Sequence, residues 1–163
     1  MNRIIKKVAV LGSGVMGSRI ACHFANIGVQ VMLLDIVPMQ LTDDEKKNPT
    51  LRNKLVNDSL QAAIKQNPSP VYAQKVIKQI TTGNFDDDLQ KIKDVDWIVE
   101  VVIENLEIKQ QLFEKVDAIR KPGTLITSNT SGIPIHQMIN GRSDDFKQHF
   151  FVTYFFNPPR YLK

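Results

Sequence analysis

Three glycines and one acid carry the first chemical signal in this chain. Gly12-Ser13-Gly14-Val15-Met16-Gly17 has the spacing G-x-G-x-x-G. Alone that pattern is weak, but between a strand and a helix it describes a loop that cradles phosphates. Gly12 would allow the tight turn, Gly14 would let the backbone approach a pyrophosphate with no Cβ in the way, and Gly17 would let the helix pack close to the strand. The helix that opens at Val15 and Met16 would offer free N–H groups and its positive end to the phosphates. Asp35 closes the next strand-like run, where a carboxylate accepts from the hydroxyls of an adenosine ribose and repels a 2′-phosphate. Ile36 follows, where an NADP enzyme would often place an arginine, so the pattern favours NAD.

Three further groups could do chemistry. Ser128-Asn129-Thr130-Ser131 follows an apolar run. A polar stretch at the carboxyl end of a strand suits hydrogen bonding to a substrate carbonyl, and equally suits an ordinary turn. Glu104 opens a helix, a place the macrodipole favours for an acid, and Lys109 follows it either as a ligand or as a solvated lysine. The third group is Tyr154-Phe155-Phe156-Asn157-Pro158. The unperturbed tyrosine pKa of about 10 makes Tyr154 a poor base at neutral pH, though a good hydrogen-bond donor. His149 reads as a surface residue too far upstream to replace it, His136 as structural, and His23 as a partly exposed helix residue.

The elements that must position these groups follow from periodicity. Residues 6–11 and 29–34 read as buried strands and residues 15–26 as the helix between them, ended by Gly28. This is a βαβ unit with a right-handed crossover. Residues 38–80 are polar, lysine-rich and interrupted by prolines. They read as an exposed helical excursion, with a solvated loop at 41–50 and helices at about 51–65 and 71–79. A short strand at 80–82, a nearly continuous apolar strand at 97–102, an amphipathic helix at 106–120 and strands at 124–128 and 150–156 complete the pattern. Strands alternating with helices give an α/β fold, a doubly wound, mostly parallel sheet of the Rossmann type, as one domain over residues 1–163.

Composition narrows the function classes. The chain is 42% hydrophobic and 23% charged, as expected of a soluble globular domain. Its net charge of +4 is spread along the sequence without aromatic interleaving, which argues against nucleic acid. The single cysteine, Cys22, cannot form an internal disulfide, and a cytoplasmic location is expected. No apolar run reaches membrane-spanning length, no apolar leader follows Met1, and no ligand set for a metal stands out. The abrupt end at 158–163 suggests a fragment of a longer protein.

Four stretches make the sequence resemble the NAD-binding domain of the 3-hydroxyacyl-CoA dehydrogenase family: residues 8–17 with Asp35, 101–109, 128–132 and 155–159. The insertion near 38–70 resembles the long bacterial form found in fatty-acid oxidation proteins. The resemblance implies hydride transfer between NAD(H) and C3 of an acyl-CoA in β-oxidation, and a helical C-terminal domain that forms a homodimer and is absent from this chain. It implies that Gly12, Gly14, Gly17 and Asp35 hold the adenine half of NAD, and that Glu104 and Lys109 lie near the nicotinamide-ribose half. Ser131 would contact substrate and cofactor, Asn157 would stand beside the catalytic centre, and Ser59 and Lys65 would lie where a helical arm meets CoA. The arm's lysines and Arg52 could steer CoA phosphates, or simply form a solvated helix face.

One position departs from the family, which carries histidine as general acid and base where this chain has Tyr154. Three readings stay open: a changed residue in an active enzyme, an inactive or weakly active relative, or a tyrosine-based site. Another NAD-dependent hydroxy-acid dehydrogenase and a non-catalytic NAD-binding module remain the alternatives.

Overall fold

Val8 and Val10 point to one side of the first strand and Ala9 and Leu11 to the other, and all four are fully buried. A strand apolar on both faces belongs in the middle of a sheet covered on both sides. The computed structural model, which describes residues 3–159, places it there. The six strands are β1 (Lys7–Leu11), β2 (Gln30–Asp35), β3 (Ile80–Asn84), β4 (Trp97–Glu100), β5 (Leu125–Ser128) and β6 (Phe150–Val152). They run in the order β3-β2-β1-β4-β5-β6, and every pairing is parallel. The chain reverses its winding between β1 and β4, and sheets of this kind open a ligand crevice at that point beyond the carboxyl ends of the strands.

Two cores flank the sheet. On one side α1 (Val15–Asn26) and α3 (Lys54–Ile64) bury Ile20, Phe24, Val56 and Leu60 against Val8, Val10 and Leu33. On the other, α5 (Leu106–Ile119) and α7 (Asp144–His149) bury Leu112, Phe113 and Phe146 against Ala9, Leu11 and Ile98. Phe113 meets Phe146 and Phe150 with ring centroids 5.5 and 5.3 Å apart. Truncating such a ring to alanine costs about 3–5 kcal/mol.

The excursion after β2 is largely exposed, as its polar composition suggests, but one face of it is buried. Val56, Leu60, Ala63 and Ile64 are buried. Their i, i+4, i+7, i+8 spacing is the apolar stripe of a helix laid against a core, diluted by lysines and prolines on the other face. The expected helix at 51–65 is split at Asn53 into α2 (Pro49–Arg52), capped by Asn48, and α3. Residues Gln74–Gln79 form a 3-10 helix rather than an α-helix, and 41–50 is solvated but holds a 3-10 turn at Glu45–Lys47.

Two strands are shorter than their apolar runs. β4 stops at Glu100 because the Glu100 carboxylate accepts from its own neighbour, the Val102 N–H, at 2.7 Å and turns the chain. β6 stops at Val152 because its partner β5 ends at Ser128, and Phe155 N–H then donates to the Asn129 side chain at 2.9 Å. The short helices α4 (Phe85–Asp88) and α6 (Ile135–Met138) and a 3-10 helix at Leu89–Asp94 complete the elements of the described residues. The terminal residues 160–163 lie outside them.

Candidate functional site

The phosphate loop separates the jobs of its glycines by geometry. Gly12 has φ +105°, and a Cβ there would lie 2.7 Å from the Val101 carbonyl oxygen. A Cβ on Gly17 would lie 1.8 Å from the Gly12 oxygen. Both glycines are therefore demanded by the protein's own packing. A Cβ on Gly14 would meet nothing within 4 Å, so its bare backbone faces open space at the start of α1. The first-turn N–H groups of Val15, Met16 and Gly17 have no partner within the helix. Ser13 is buried and donates to Asp35 Oδ2 through its N–H at 2.6 Å and its hydroxyl at 2.5 Å. A backbone cradle that no side chain fills, a positive helix end and a carboxylate at the tip of β2 fit the adenosine-diphosphate half of NAD.

A cleft of about 270 Å³ separates this loop from the arm, with Ser13, Gly14 and Arg19 on one wall and Ser59, Ala62 and Gln66 on the other. Ser59 thus reaches the phosphate loop. Lys65, the C-cap of α3, is exposed and lies off that wall. Arg52 is not free to steer an anion, because its Nε and Nη2 donate to the two Asp87 oxygens at 2.7 and 2.8 Å.

Arg19 was not singled out by the sequence, and it ties three segments together. Its Nη1 donates to Asn157 Oδ1 at 2.6 Å, while Nε and Nη2 donate to Gln66 Oε1 at 3.1 and 2.5 Å. The only signal for it was a cation two positions after the glycine pattern. With Oδ1 occupied, Asn157 has its amide N–H groups left to offer.

At the other half of the crevice, β5 and β6 bring the polar loop and the aromatic segment together. Ser128 pairs with Val152 in register, so residues 129–131 and 153–154 leave the sheet side by side. Ser131 is exposed there. Tyr154 is 56% exposed, and its one ring contact among the described residues is Phe156, edge to face at 5.0 Å. His149 sits at the opposite, amino end of β6, with Nδ1 2.7 Å from the Asp145 carbonyl oxygen. His136 is exposed on α6, and His23 packs edge-on to Phe24 and Phe155. None of the three lies at the Ser131 loop in place of Tyr154.

Glu104 does not open a helix. Asn105 is the N-cap of α5, and Glu104 precedes it and turns back over the 130–132 loop. Its Oε1 accepts from Thr130 Oγ1 at 2.5 Å, Ser131 N–H at 3.2 Å and Gly132 N–H at 3.1 Å. Burial pushes this carboxyl up, but those donors and Lys109 outweigh it and hold it below the ordinary range. Lys109 is not a solvated lysine: it is fully buried and paired with the fully buried Glu100, Nζ to Oε1 at 2.7 Å. Glu100 was missed, and the Ser128 and Thr130 hydroxyls of the polar run donate to Glu100 and Glu104. A lone acid ending an apolar strand was the available signal for Glu100, since an unpaired buried carboxylate is untenable.

No group of three or more His, Cys, Asp or Glu side chains among the described residues is placed to hold a metal. No helix among them is long and apolar enough to cross a membrane.

Comparison with known proteins gives a consistent picture. The family model of the 3-hydroxyacyl-CoA dehydrogenase NAD binding domain matches residues 7–163. A probable 3-hydroxyacyl-CoA dehydrogenase of Bacillus subtilis is 52% identical over 100% of this chain and 21% of its own length. One of Deinococcus radiodurans is 46% identical over 97% of this chain and 43% of its own. A putative fatty acid oxidation complex trifunctional enzyme of Rickettsia felis is 41% identical, with 22% of its length matched. The crystal structure of Escherichia coli 3-hydroxybutyryl-CoA dehydrogenase superposes with a TM-score of 0.70 at 27% identity, over 98% of this chain and 31% of that one. The chain thus spans less than half the length of these relatives.

Proposed function

Because the chain belongs to the 3-hydroxyacyl-CoA dehydrogenase NAD-binding domain family, we propose that it is the cofactor-holding part of an enzyme that interconverts 3-hydroxyacyl-CoA and 3-ketoacyl-CoA. The observation that carries the reading is the placement of the open Gly14 cradle and the Ser131–Tyr154 pair of loops beyond the carboxyl ends of one parallel sheet. Gly12, Ser13, Gly14, Val15, Met16, Gly17 and Asp35 hold the adenosine diphosphate, and Glu104 faces the nicotinamide half. When bound, NAD(H) supplies or accepts the hydride exchanged with C3 of the acyl group.

The chain's own groups handle the oxygen on C3. The Ser131 hydroxyl donates a hydrogen bond to it and polarises the carbonyl. Asn157, with Oδ1 held by Arg19, presents amide N–H groups toward the same region. Tyr154 stands where the family carries its histidine. Its hydroxyl donates to a ketone oxygen as reduction proceeds, but at neutral pH it takes up a proton poorly in the reverse direction. Ser59 and Lys65 belong to the arm that meets CoA. Lys109 acts from beneath the site, since its ammonium is buried. In the full-length protein a C-terminal domain forms a homodimer, and the enzyme works in the cytoplasm on fatty-acid β-oxidation, without nucleic acid or membrane as partner.

The test is NAD reduction with 3-hydroxybutyryl-CoA, the direction that needs a base at the oxygen, by the full-length protein and by Tyr154→His. A general acid–base group is worth about 10²–10⁴-fold, so the histidine variant should turn over at least about 100-fold faster at pH 7. Equal rates would make Tyr154 a competent proton carrier. Tight NADH binding with no turnover in either form would refute the substrate assignment and favour a binding module, for which Tyr154 is the specific support.

A further inference from the structure

Beneath the Ser131 loop lies a charged network whose innermost member, Glu100, no role has yet been given. Its carboxylate is out of solvent and receives four hydrogen bonds from three groups. Lys109 Nζ reaches Oε1 at 2.7 Å and Oε2 at 2.9 Å, Val102 N–H reaches Oε1 at 2.7 Å, and the Ser128 hydroxyl reaches Oε2 at 2.5 Å. The Lys109 ammonium also lies 3.4 Å from Glu104 Oε2. The other oxygen of Glu104 gathers Thr130 Oγ1, Ser131 N–H and Gly132 N–H. An unbroken path of hydrogen bonds and ion pairs therefore runs from the end of β4 to the backbone at residue 131.

We propose that Glu100 is a positioning residue for the reactive end of the site, acting through Lys109 and Glu104 to fix the backbone of Ser131 and Gly132. This rests on the reading that Ser131 meets the reacting groups. A buried ion pair is weak evidence of stability, because desolvating both charges offsets their attraction. Its distinct physical effect is directional. One ammonium held by Glu100 at two oxygens has a fixed location, and Glu104, 43% exposed, is drawn down to it rather than extended into water. With the Glu104 carboxylate anchored, its second oxygen is the acceptor that holds the two loop N–H groups. Without the Glu100 charge, the Lys109 ammonium is drawn toward Glu104 and shifts that acceptor.

Two variants of the full-length protein test this. Glu100→Gln/Lys109→Met removes both fully buried charges together rather than stranding one, so the fold should persist with Tm within roughly 5 °C of the parent. Its Ser131 and Gly132 amides should exchange hydrogen at least about tenfold faster. A displacement near 1 Å at a reacting group costs about 10²-fold, so kcat for NADH oxidation with acetoacetyl-CoA should fall by about that factor while KM for NADH stays within about threefold. Glu100→Gln alone should loosen the same two amides and also lower Tm, since it leaves Lys109 with half its charge partners. If either folded variant keeps parental exchange at residues 131 and 132 and parental kcat, Glu100 only packs and the proposal is overturned. Exchange decides the matter without turnover. Loosened amides in a protein that never oxidises NADH would uphold the positioning role and reject the acyl-CoA reading instead.

Discussion

Gly14→Ala should abolish tight NADH binding and leave the fold almost untouched. Gly14 sits at φ −55° and ψ −171°, a region open to any residue, and a methyl group there meets no protein atom within 4 Å. Replacing glycine by alanine at a compatible position gains about 0.4–1 kcal/mol from the unfolded chain. Alanine is a clearly poorer N-cap than glycine and takes back about 0.5–1 kcal/mol. The net change is within about 1 kcal/mol, or a Tm shift of no more than about 4 °C for a domain of this size. The same methyl fills the gap through which a pyrophosphate would approach the backbone. A 100-fold loss of affinity corresponds to about 2.7 kcal/mol, within the usual range for overpacking a close contact. Gly17→Ala is the contrasting control, since its Cβ would fall 1.8 Å from the Gly12 oxygen and the loop could not close. It should lower stability by about 3 kcal/mol or more. Fluorescence titration with NADH beside a thermal melt reads both quantities. A Gly14→Ala protein with parental Tm and parental Kd would show that no phosphate lies against Gly14, and the reasoning about the cradle would be wrong.

Other perturbations follow from the same geometry. Asp35→Ser should weaken NADH by about tenfold, the worth of a hydrogen bond to a charged group, and narrow the gap between NADH and NADPH; unchanged preference would remove Asp35 from the ribose. Burial pushes the Cys22 thiol up to about 11, so iodoacetamide at pH 8 should leave the folded chain unlabelled and react only after urea is added. Burial raises the Asp117 carboxyl, but two donors from Ser143 and the guanidinium of Arg120 overcome it and hold the group below its ordinary value. A carboxyl whose folded pKa lies below the unfolded value of about 3.9 contributes stability above that pH and loses it as pH falls through the folded pKa. Asp117→Asn should therefore be about 1–3 kcal/mol less stable at pH 7, with the difference shrinking below about pH 4 in acid titrations.

Much of the fold was legible because it rests on local, periodic signals. The unbroken apolar run Val8, Ala9, Val10 and Leu11 marks a strand buried on both faces, and the glycine pattern followed by a helix and Asp35 marks the first βαβ unit. The arm is exposed as its composition implies, but its buried stripe at Val56, Leu60, Ala63 and Ile64 was not picked out because it is sparse and the lysines and prolines around it dominate. The strands expected to run to 102 and 156 end at 100 and 152 because ladders stop where partners stop, which no single segment records.

The site divides the same way. The sequence by itself determined the phosphate loop, the acid that follows it and the polar loop after the fifth strand, because each is a short run whose chemistry is fixed by residue type and neighbours. Only the tertiary structure decided that Arg52 is spent on Asp87, that Arg19 holds Asn157, and that Lys109 is buried between Glu100 and Glu104. A long charged side chain reads alike whether it reaches water or a buried partner, and its environment is set by segments distant in sequence.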